Sequence, residues 1–250
     1  MSSKKSNKND ILEVENMDDY AKEDRDGQNN QLHEMLPRHP YRMLITGSSN
    51  CGKSNFLINL LIKQVPYDKI YVYSKHLHQS KYKYLNEYLI SLEDMLEKAC
   101  NKRIPIIMAW SNDINELVNC DDLDKTYRNL IIIDDFPLNT KAIDNRIGKL
   151  YTSCRHKNTS IITINQMYFR TSRAVRLNLS YLVLFNNNNR KELSLLSAEQ
   201  GADLEKNEFR KMYNSILRTK YNFMLIDNET NDENLKYRNK WNGIYTRNLI

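Results

Sequence analysis

The sequence predicts an α/β fold with a mostly parallel central sheet flanked by helices. Apolar segments with the pattern of strands alternate along the chain with segments of helical period. Residues 129–134 (NLIIID) form an unbroken apolar run, which is typical of a strand buried on both faces of a parallel sheet. A turn of small polar residues joins the apolar segment 41–46 directly to a helical pattern that begins near Lys53.

The composition indicates a globular intracellular protein. At 250 residues the chain is long enough for one substantial domain, or for one domain with a small extension. No apolar stretch approaches the roughly 18 residues of a membrane span, and the polar N-terminus lacks the core of a secretory signal, so we expect no membrane partner. The four cysteines are scattered without a CxxC pair, which indicates reduced thiols. His76 and His78 lie two residues apart, and we interpret them as polar residues at a strand end in preference to a metal site.

Three segments differ in composition. Residues 1–38 hold nine acids and six bases with few aliphatic side chains, so we expect a disordered polar tail. The alternating strand and helix patterns cover 39–227, which we predict to be the folded domain. Residues 228–250 are polar, basic and aromatic, and are predicted to be a C-terminal extension.

Each predicted element depends on the spacing of its apolar residues. The first helix carries Phe56, Leu60 and Leu61 on one face, and the second repeats apolar residues near a period of 3.6. The strands are short apolar runs bounded by polar or turn-forming residues, such as the asparagines at 186–189. The predicted strands are 41–46, 68–74, 104–110, 129–134, 160–165, 180–185 and, as the terminal strand, 221–227. The predicted helices are 53–64, 80–99, 141–156 and 191–217.

The turn before the first helix has the sequence GSSNCGKS, residues 47–54, which fits the phosphate-binding pattern GxxxxGK[ST]. Its glycines allow backbone N–H groups to point at phosphate oxygens, and the following helix adds its positive dipole end. We expect Lys53 to reach the β- and γ-phosphates of ATP, and the Ser54 hydroxyl to ligate Mg²⁺. The predicted nucleotide-binding residues are Gly47, Ser48, Ser49, Asn50, Cys51, Gly52, Lys53, Ser54 and Asn55.

Two adjacent acids end the apolar strand 129–134. Asp134 is predicted to be a second Mg²⁺ ligand, because a carboxylate at this strand end would lie beside the phosphates. Asp135 is predicted to be the general base, or the group that orients the water attacking the γ-phosphate. The alternative is an acidic cap on the next helix, which explains one carboxylate more easily than two.

A polar amide ends the next predicted strand. Because ligands bind at the carboxyl ends of such sheets, Gln166 is predicted to sense the γ-phosphate, with Asn165 behind it. The alternative is that these residues are polar only because they lie in a loop.

The positive charge is concentrated in one part of the sequence. The whole chain has a formal net charge of +6, and the segment 145–191 contains no acid. Such a single-sign block indicates a polyanion, either nucleotide phosphate or nucleic acid. The alternative is a solvated face whose counter-charges come from elsewhere in the fold. The nine bases of this block are Arg146, Lys149, Arg155, Lys157, Arg170, Arg173, Arg176, Arg190 and Lys191.

Together these stretches resemble the FtsK–HerA superfamily of DNA-pumping ATPases. Within it, they are most similar to the genome-packaging ATPases of large eukaryotic DNA viruses, virophages and Polinton-like elements. The similar stretches are YRMLITGSSNCGKSNFL, LIIIDDF, SCRHKNTSIITINQ, YLVLFNNNNRKELSLLSAEQG and YNFMLID, which lie between residues 41 and 227. One departure is Asp135, where the superfamily usually has Glu.

The resemblance implies an additional-strand P-loop NTPase that hydrolyses ATP with Mg²⁺. It further implies a homo-oligomeric ring, a pentamer or hexamer, that moves double-stranded DNA into a viral capsid, with a capsid protein as a further partner. Such a protein would act intracellularly, at the virus assembly site of the host cell or in the virion. Arg155 matches the position of an arginine finger that reaches the neighbouring subunit's nucleotide. Arg173 and Arg176 are alternative fingers or contacts to DNA phosphates, being three apart on a predicted helix.

Two other functional classes fit the phosphate loop. One is a nucleotide or nucleoside kinase, which is disfavoured because no arginine-rich lid is found near the loop and because paired acids suit water activation. The other is a nucleotide-gated interaction protein that hydrolyses slowly and drives no movement. GTP specificity is not expected, since the sequence has no NKxD motif.

Overall fold

The computed structural model describes residues 35–63, 67–136, 141–187, 189–201, 204–241 and 243–244, which form one sheet with helices packed on both faces. The strands are β1 (Arg42–Thr46), β2 (Lys69–Ser74), β3 (Ile107–Ser111), β4 (Asn129–Asp134), β5 (Thr159–Asn165), β6 (Tyr181–Phe185), β7 (Phe223–Asp227), β8 (Tyr237–Asn239) and β9 (Gly243–Ile244). The helices are α1 (Lys53–Lys63), α2 (Ser80–Cys100), α3 (Lys141–Ser153), α4 (Arg173–Arg176), α5 (Arg190–Gln200), α6 (Lys206–Leu217) and α7 (Glu233–Lys236).

The strand order is β3-β2-β4-β5-β1-β6-β7-β8-β9. Strands β1 to β6 run parallel, whereas β7, β8 and β9 are antiparallel to their neighbours. Strand β5 lies between β1 and β4, which is the additional strand that defines the predicted class of P-loop fold. The predicted fold class is therefore confirmed. We call the end of the sheet where the six parallel strands finish the carboxyl end, and the opposite end the amino end.

The core explains the unbroken apolar run of β4. All six residues of this strand are buried, because helices cover both faces of the sheet. Leu130 and Ile132 pack in the cluster beneath α1 and α2, whereas Ile131 and Ile133 pack in the cluster beneath α3 and α6. The side chains alternate between the faces, as the period of two in a strand requires.

Two predicted helices are shorter than expected. The segment 191–217 forms two helices, since α5 ends before Gly201 and α6 begins with a capping box between Glu205 and Glu208. The expectation of one helix was wrong, because the apolar spacing continues across a local stop and start signal. The segment 141–156 forms α3 and then a short 3-10 turn, Cys154–Lys157, whose polar residues carry no apolar pattern.

The C-terminal extension completes the sheet. The expectation that 221–227 is the terminal strand was wrong, because β8 pairs with β7 and β9 pairs with β8. Arg238 of β8 is buried, and its Nη2 lies 2.6 Å from Oδ2 of Asp227 on β7. A strand this short and polar has no apolar run for the sequence pattern to detect.

The end of the predicted tail contacts the domain. The Met35 carbonyl accepts a hydrogen bond from Arg238 Nη1 at 3.0 Å, Pro37 is buried, and the Arg38 N–H donates to the Tyr181 hydroxyl. The predicted boundary at residue 38 is therefore corrected, since residues 35–38 pack on the fold. Residues 1–34 of the predicted tail lie outside the described residues.

Candidate functional site

The loop after β1 has the backbone geometry that its glycines predict. Gly47 and Gly52 have φ values of +154° and +115°, and Asn50 has φ +58°. A Cβ at Gly47 would lie 2.5 Å from the Cβ of Phe185 on the neighbouring strand β6. A side chain therefore does not fit at Gly47, so the loop passes over β6 at a distance that only glycine permits.

Lys53 begins α1 and folds back over the loop. Its Nζ donates hydrogen bonds to the carbonyl oxygens of Gly47 at 2.7 Å and Ser48 at 2.8 Å. It forms no ion pair with a carboxylate in the described part of the chain. The ammonium charge is thus held at the loop by neutral acceptors, where a polyphosphate would supply the counter-charge.

Asp134 ends β4 as a buried carboxylate, 5% exposed. The buried hydroxyl of Tyr82, on α2, donates a hydrogen bond of 2.5 Å to Asp134 Oδ2. Burial raises the pKa of the Asp134 carboxyl, and the hydrogen bond from Tyr82 opposes that rise. Tyr82 was not predicted as a site residue, because its spacing on α2 is that of a core residue.

Asp135 leaves the strand in a left-handed conformation, with φ +53°, and its N–H donates to the Ile164 carbonyl of β5. Its carboxylate accepts hydrogen bonds from Gln166 Nε2 at 3.1 and 3.2 Å. His76 Nε2 lies 3.2 Å from Asp135 Oδ2. The two side chains hold the carboxylate from the strands on either side of β4, which favours a role at the site over the alternative of a helix cap.

Gln166 and His76 reach Asp135 because β5 and β2 are the two neighbours of β4. Asn165 instead turns inward and donates to the Thr171 hydroxyl at 2.8 Å, which leaves Gln166 as the exposed amide. His76 was predicted only as a polar residue at a strand end. The rule that sites form at the carboxyl ends of parallel strands would have marked it.

The asparagine loop after β6 connects two parts of the site. The Asn186 carbonyl accepts hydrogen bonds from Ser48 N at 3.2 Å and Ser48 Oγ at 3.0 Å. Asn187 Nδ2 donates to the Gln166 carbonyl at 3.3 Å. This loop, predicted only as a turn, therefore joins the phosphate loop to the Gln166 loop.

Arg155 lies far from these groups along the strand direction. It is exposed on the 3-10 turn before β5, and β5 begins at the amino end of the sheet. A cavity of about 570 Å³ opens there, lined by residues that include Arg38, Arg155, Arg238 and Asp227. The structure does not bring Arg155 together with the phosphate loop within one subunit.

The two arginines of α4 differ in environment, although they are three residues apart. Arg173 is exposed. Arg176 makes two hydrogen bonds to the Glu199 carboxylate, at 2.8 and 3.0 Å, and lies over the Tyr168 ring at 5.4 Å. Its Nη1 also donates to the Thr171 carbonyl. The guanidinium of Arg176 is thus already bound within the fold, which disfavours the predicted contact with DNA.

The acid-free block does not form one basic surface. Lys149 pairs with Asp121 at 2.9 Å, and Arg146 donates to the carbonyls of Asn115 and Leu117. Of the remaining bases, some precede β5 at the amino end, and others follow β5 and β6 at the carboxyl end. Part of the block is thus neutralised or bound by other elements, as the alternative reading expected.

The described residues contain no group of three or more acids, histidines or cysteines arranged to hold a metal ion by themselves. Among the described helices, none combines the length and apolar character needed to cross a membrane.

Several solved structures are similar to this chain in fold. The DNA-packaging ATPase B204 from Sulfolobus turreted icosahedral virus is 18% identical, with 76% of this chain and 93% of that chain covered and a TM-score of 0.49. The genome-packaging NTPase B204 from Sulfolobus turreted icosahedral virus 2, in complex with ATP-gammaS, is 17% identical, with 75% and 92% covered and a TM-score of 0.46. VirB4 of Thermoanaerobacter pseudethanolicus is 9% identical, with 76% and 87% covered and a TM-score of 0.48.

No curated protein matches the chain. The family described as "Poxvirus A32 protein" matches residues 29–235, a span that includes the phosphate loop, Asp134, Asp135 and Gln166. Since this match covers most of the sequence, the chain belongs to the poxvirus A32 protein family.

Proposed function

We propose that this protein is an ATP hydrolase that translocates double-stranded DNA to package a viral genome. The observation that carries the proposal is the meeting of the phosphate loop, Asp134, Asp135 and Gln166 at the carboxyl end of one sheet. Membership of a poxvirus family supports the viral setting, and the motif resemblance to DNA-pumping ATPases supports the substrate.

The loop binds the triphosphate. Backbone N–H groups of residues 47–54 and the beginning of α1 face phosphate oxygens, and Lys53 exchanges its carbonyl acceptors for the β- and γ-phosphates. This exchange costs little, since the ammonium leaves neutral acceptors and no ion pair within the described residues is broken.

The residues present fit a magnesium ion. The Ser54 hydroxyl and the Asp134 carboxylate are oxygen donors of the kind that Mg²⁺ prefers, and a buried carboxylate with a raised pKa gains from a nearby cation. Tyr82 fixes the orientation of Asp134 by its hydrogen bond. When bound, the ion would offset the negative charge of the β- and γ-phosphates.

Asp135 orients and deprotonates the attacking water. Its side chain is shorter than the glutamate usual in the superfamily. Gln166 and His76 contact its carboxylate and fix its orientation. Gln166 also follows β5, directly beside the phosphate-loop strand β1, and it can transmit the state of the γ-phosphate to Asp135.

Activity requires an assembly. Arg155, at the amino end, acts as the finger for a neighbouring subunit's nucleotide in a pentameric or hexameric ring. Arg173 contacts DNA phosphates, and the acidic residues of the segment 1–34 contact a capsid protein. The protein acts at the assembly site in the host cell or in the virion.

The test is ATP turnover with and without duplex DNA, over a series of salt concentrations. We expect stimulation by DNA of any sequence, and an affinity whose logarithm falls by about 0.9 per neutralised phosphate for each tenfold rise in salt. Arg173→Ala should reduce that slope by about one. Arg218→Ala, which alters a base in the turn after α6, serves as the matched control.

Two outcomes would contradict the proposal. If the DNA affinity of the wild-type protein does not depend on salt and DNA does not stimulate its ATP turnover, the protein is not a translocase. Transfer of phosphate to nucleoside monophosphates, measured in parallel, would identify a kinase.

A further inference from the structure

The phosphate loop has two flanks at the carboxyl end of the sheet. The acids lie on one flank, at the end of β4, two strands from β1. On the other flank, β6 and β7 follow β1. Strand β7 runs antiparallel to β6, with Phe223 opposite Phe185, so β7 begins at the carboxyl end. Residues just before β7 therefore lie beside the phosphate loop.

Tyr221 is the aromatic residue at this position. Its Cδ1 lies 3.6 Å from the point where a Cβ on Gly52 would stand, so the ring borders the phosphate loop. The side chain is nevertheless 58% exposed, unlike the neighbouring Phe185 and Phe223, which are buried. A tyrosine ring that touches a ligand-binding loop and still faces solvent offers an open stacking surface.

The backbone of Tyr221 is also unusual. Its φ is +64°, in the left-handed region that a bulky residue rarely adopts. Backbone outliers of this kind concentrate at ligand sites, where the surroundings hold them. Asn222 contributes to that hold, because its Nδ2 donates to the Ile216 carbonyl at 2.7 Å and to Asn239 Oδ1 at 2.8 Å.

The dimensions suit a nucleotide that lies across the loop. Neighbouring strands are about 4.8 Å apart, so β4 and β7 are each roughly 10 Å from β1, on opposite sides. The γ-phosphate must lie toward Asp135, where the water is activated. The nucleoside then extends away from the acids, toward the flank that Tyr221 occupies.

We propose that Tyr221 stacks on the base of the bound nucleoside triphosphate and forms the nucleobase subsite. The inference rests on the proposed function, since it requires a nucleotide at the phosphate loop. Lys220 Nζ lies over one face of the Tyr221 ring, 4.8 Å from its centroid, so the base stacks on the other face and the lysine adds positive charge to the same subsite. Stacking uses the face that all bases share, so Tyr221 provides affinity without selecting among bases.

The experiment measures equilibrium binding of ATP, GTP and inorganic triphosphate, each with Mg²⁺, by calorimetry. The variants are Tyr221→Ala and Tyr221→Phe, with Tyr84→Ala as the matched control because Tyr84 is a similarly exposed tyrosine, 55%, on α2. Tyr221→Ala should weaken ATP and GTP by about 5- to 150-fold, the equivalent of about 1–3 kcal/mol, and leave triphosphate affinity unchanged. Tyr221→Phe and Tyr84→Ala should bind all three ligands as the wild type does.

Three results would overturn the inference, and they are distinguishable. If the wild-type protein binds ATP and Tyr221→Ala binds it equally well, Tyr221 does not form the nucleobase subsite, and the proposed function still stands. An equal loss for ATP and triphosphate shows that the ring only shapes the phosphate loop. If the wild-type protein binds none of the three ligands, both the subsite and the proposed function are wrong.

Discussion

The two ends of the sheet hold opposite kinds of chemistry. At the carboxyl end, Asp134 and Asp135 are held by neutral or weakly basic partners, and Lys53 lies on backbone carbonyls. At the amino end, Arg155 is exposed and forms no ion pair in the described part of the chain, whereas Arg238 is buried against Asp227. The carboxyl end therefore has the groups to bind and hydrolyse a nucleotide, but within the described residues no arginine forms a hydrogen bond or ion pair with Asp134 or Asp135. If Arg155 is the finger, as we propose, a neighbouring subunit must bring it to the carboxyl end.

The largest expected effect tests whether the amino end of one subunit meets the carboxyl end of its neighbour. Arg155→Ala should lower turnover by about 10³–10⁵, because an arginine finger stabilises charge in the transition state. Lys53→Ala should remove nucleotide binding and turnover in its own subunit. Mixing the two variants should restore activity, since a site with an intact loop can then face an intact arginine. The measurement is steady-state ATPase activity of mixed assemblies, with each variant alone as the control.

Failure of the mixture to recover would place the role of Arg155 within one subunit. Arg173→Ala tested in the same mixture would show whether that exposed arginine takes the role instead. Arg176 is not a candidate, because Glu199 and Thr171 bind its guanidinium.

A smaller effect tests the carboxyl end alone. Asp135→Asn should reduce turnover by about 10²–10⁴, the range for loss of a general base, while ATP and Mg²⁺ still bind. Single-turnover hydrolysis and nucleotide binding should be measured together. Near-normal hydrolysis in this variant would mean that Asp135 is structural. Asp113→Asn, at a carboxylate that caps a 3-10 turn away from the loop, provides the control.

A substitution at the amino end should lower the stability of the fold. Arg238→Ala leaves Asp227 buried without its partner, so unfolding free energy should fall by about 3–5 kcal/mol, as for other broken buried pairs. Burial already raises the pKa of the Asp227 carboxyl, and Arg238 opposes that rise. An acid whose pKa is higher when folded gains stability as the pH falls through that pKa. The loss should therefore be largest at neutral pH and smaller in acid, as urea denaturation can measure. If the loss of unfolding free energy did not depend on pH, it would not come from the ion pair between Arg238 and Asp227.

The same contrast explains what could be predicted from the sequence. The meeting of the phosphate loop, Asp134, Asp135 and Gln166 at one end of the sheet could be predicted, because each lies at the end of an apolar strand and parallel strands bring their carboxyl ends together. His76 and Tyr82 could not be assigned in the same way, because the sequence does not state that β2 and α2 lie beside β4. Their contacts are a property of strand order.

The amino end was less predictable, because its contacts join distant and polar segments. Arg238 binds Asp227 and the Met35 carbonyl, which is 203 residues away in the chain. Neither β8 nor residues 35–38 have an apolar period, so the sequence reasoning assigned both to polar extensions. The pairing of Arg176 with Glu199 could not be predicted for the same reason, since the pattern of charges in a sequence does not show which acid pairs with which base.

The smallest expected effect tests the corrected boundary at the amino end. Removal of residues 1–34 should leave ATP turnover and melting temperature unchanged, since the contacts of Met35 and Arg38 with the domain are kept. Removal of residues 1–38 deletes the carbonyl that accepts from Arg238 Nη1 and the N–H that donates to Tyr181, and exposes the surface that covers Pro37. Lost hydrogen bonds of this kind cost about 1–3 kcal/mol, so the melting temperature should fall by about 2–12 °C. Differential scanning calorimetry of the two truncations gives the comparison. Equal melting temperatures would mean that residues 35–38 add nothing to the fold, and a large drop for the shorter truncation would mean that residues 1–34 belong to it.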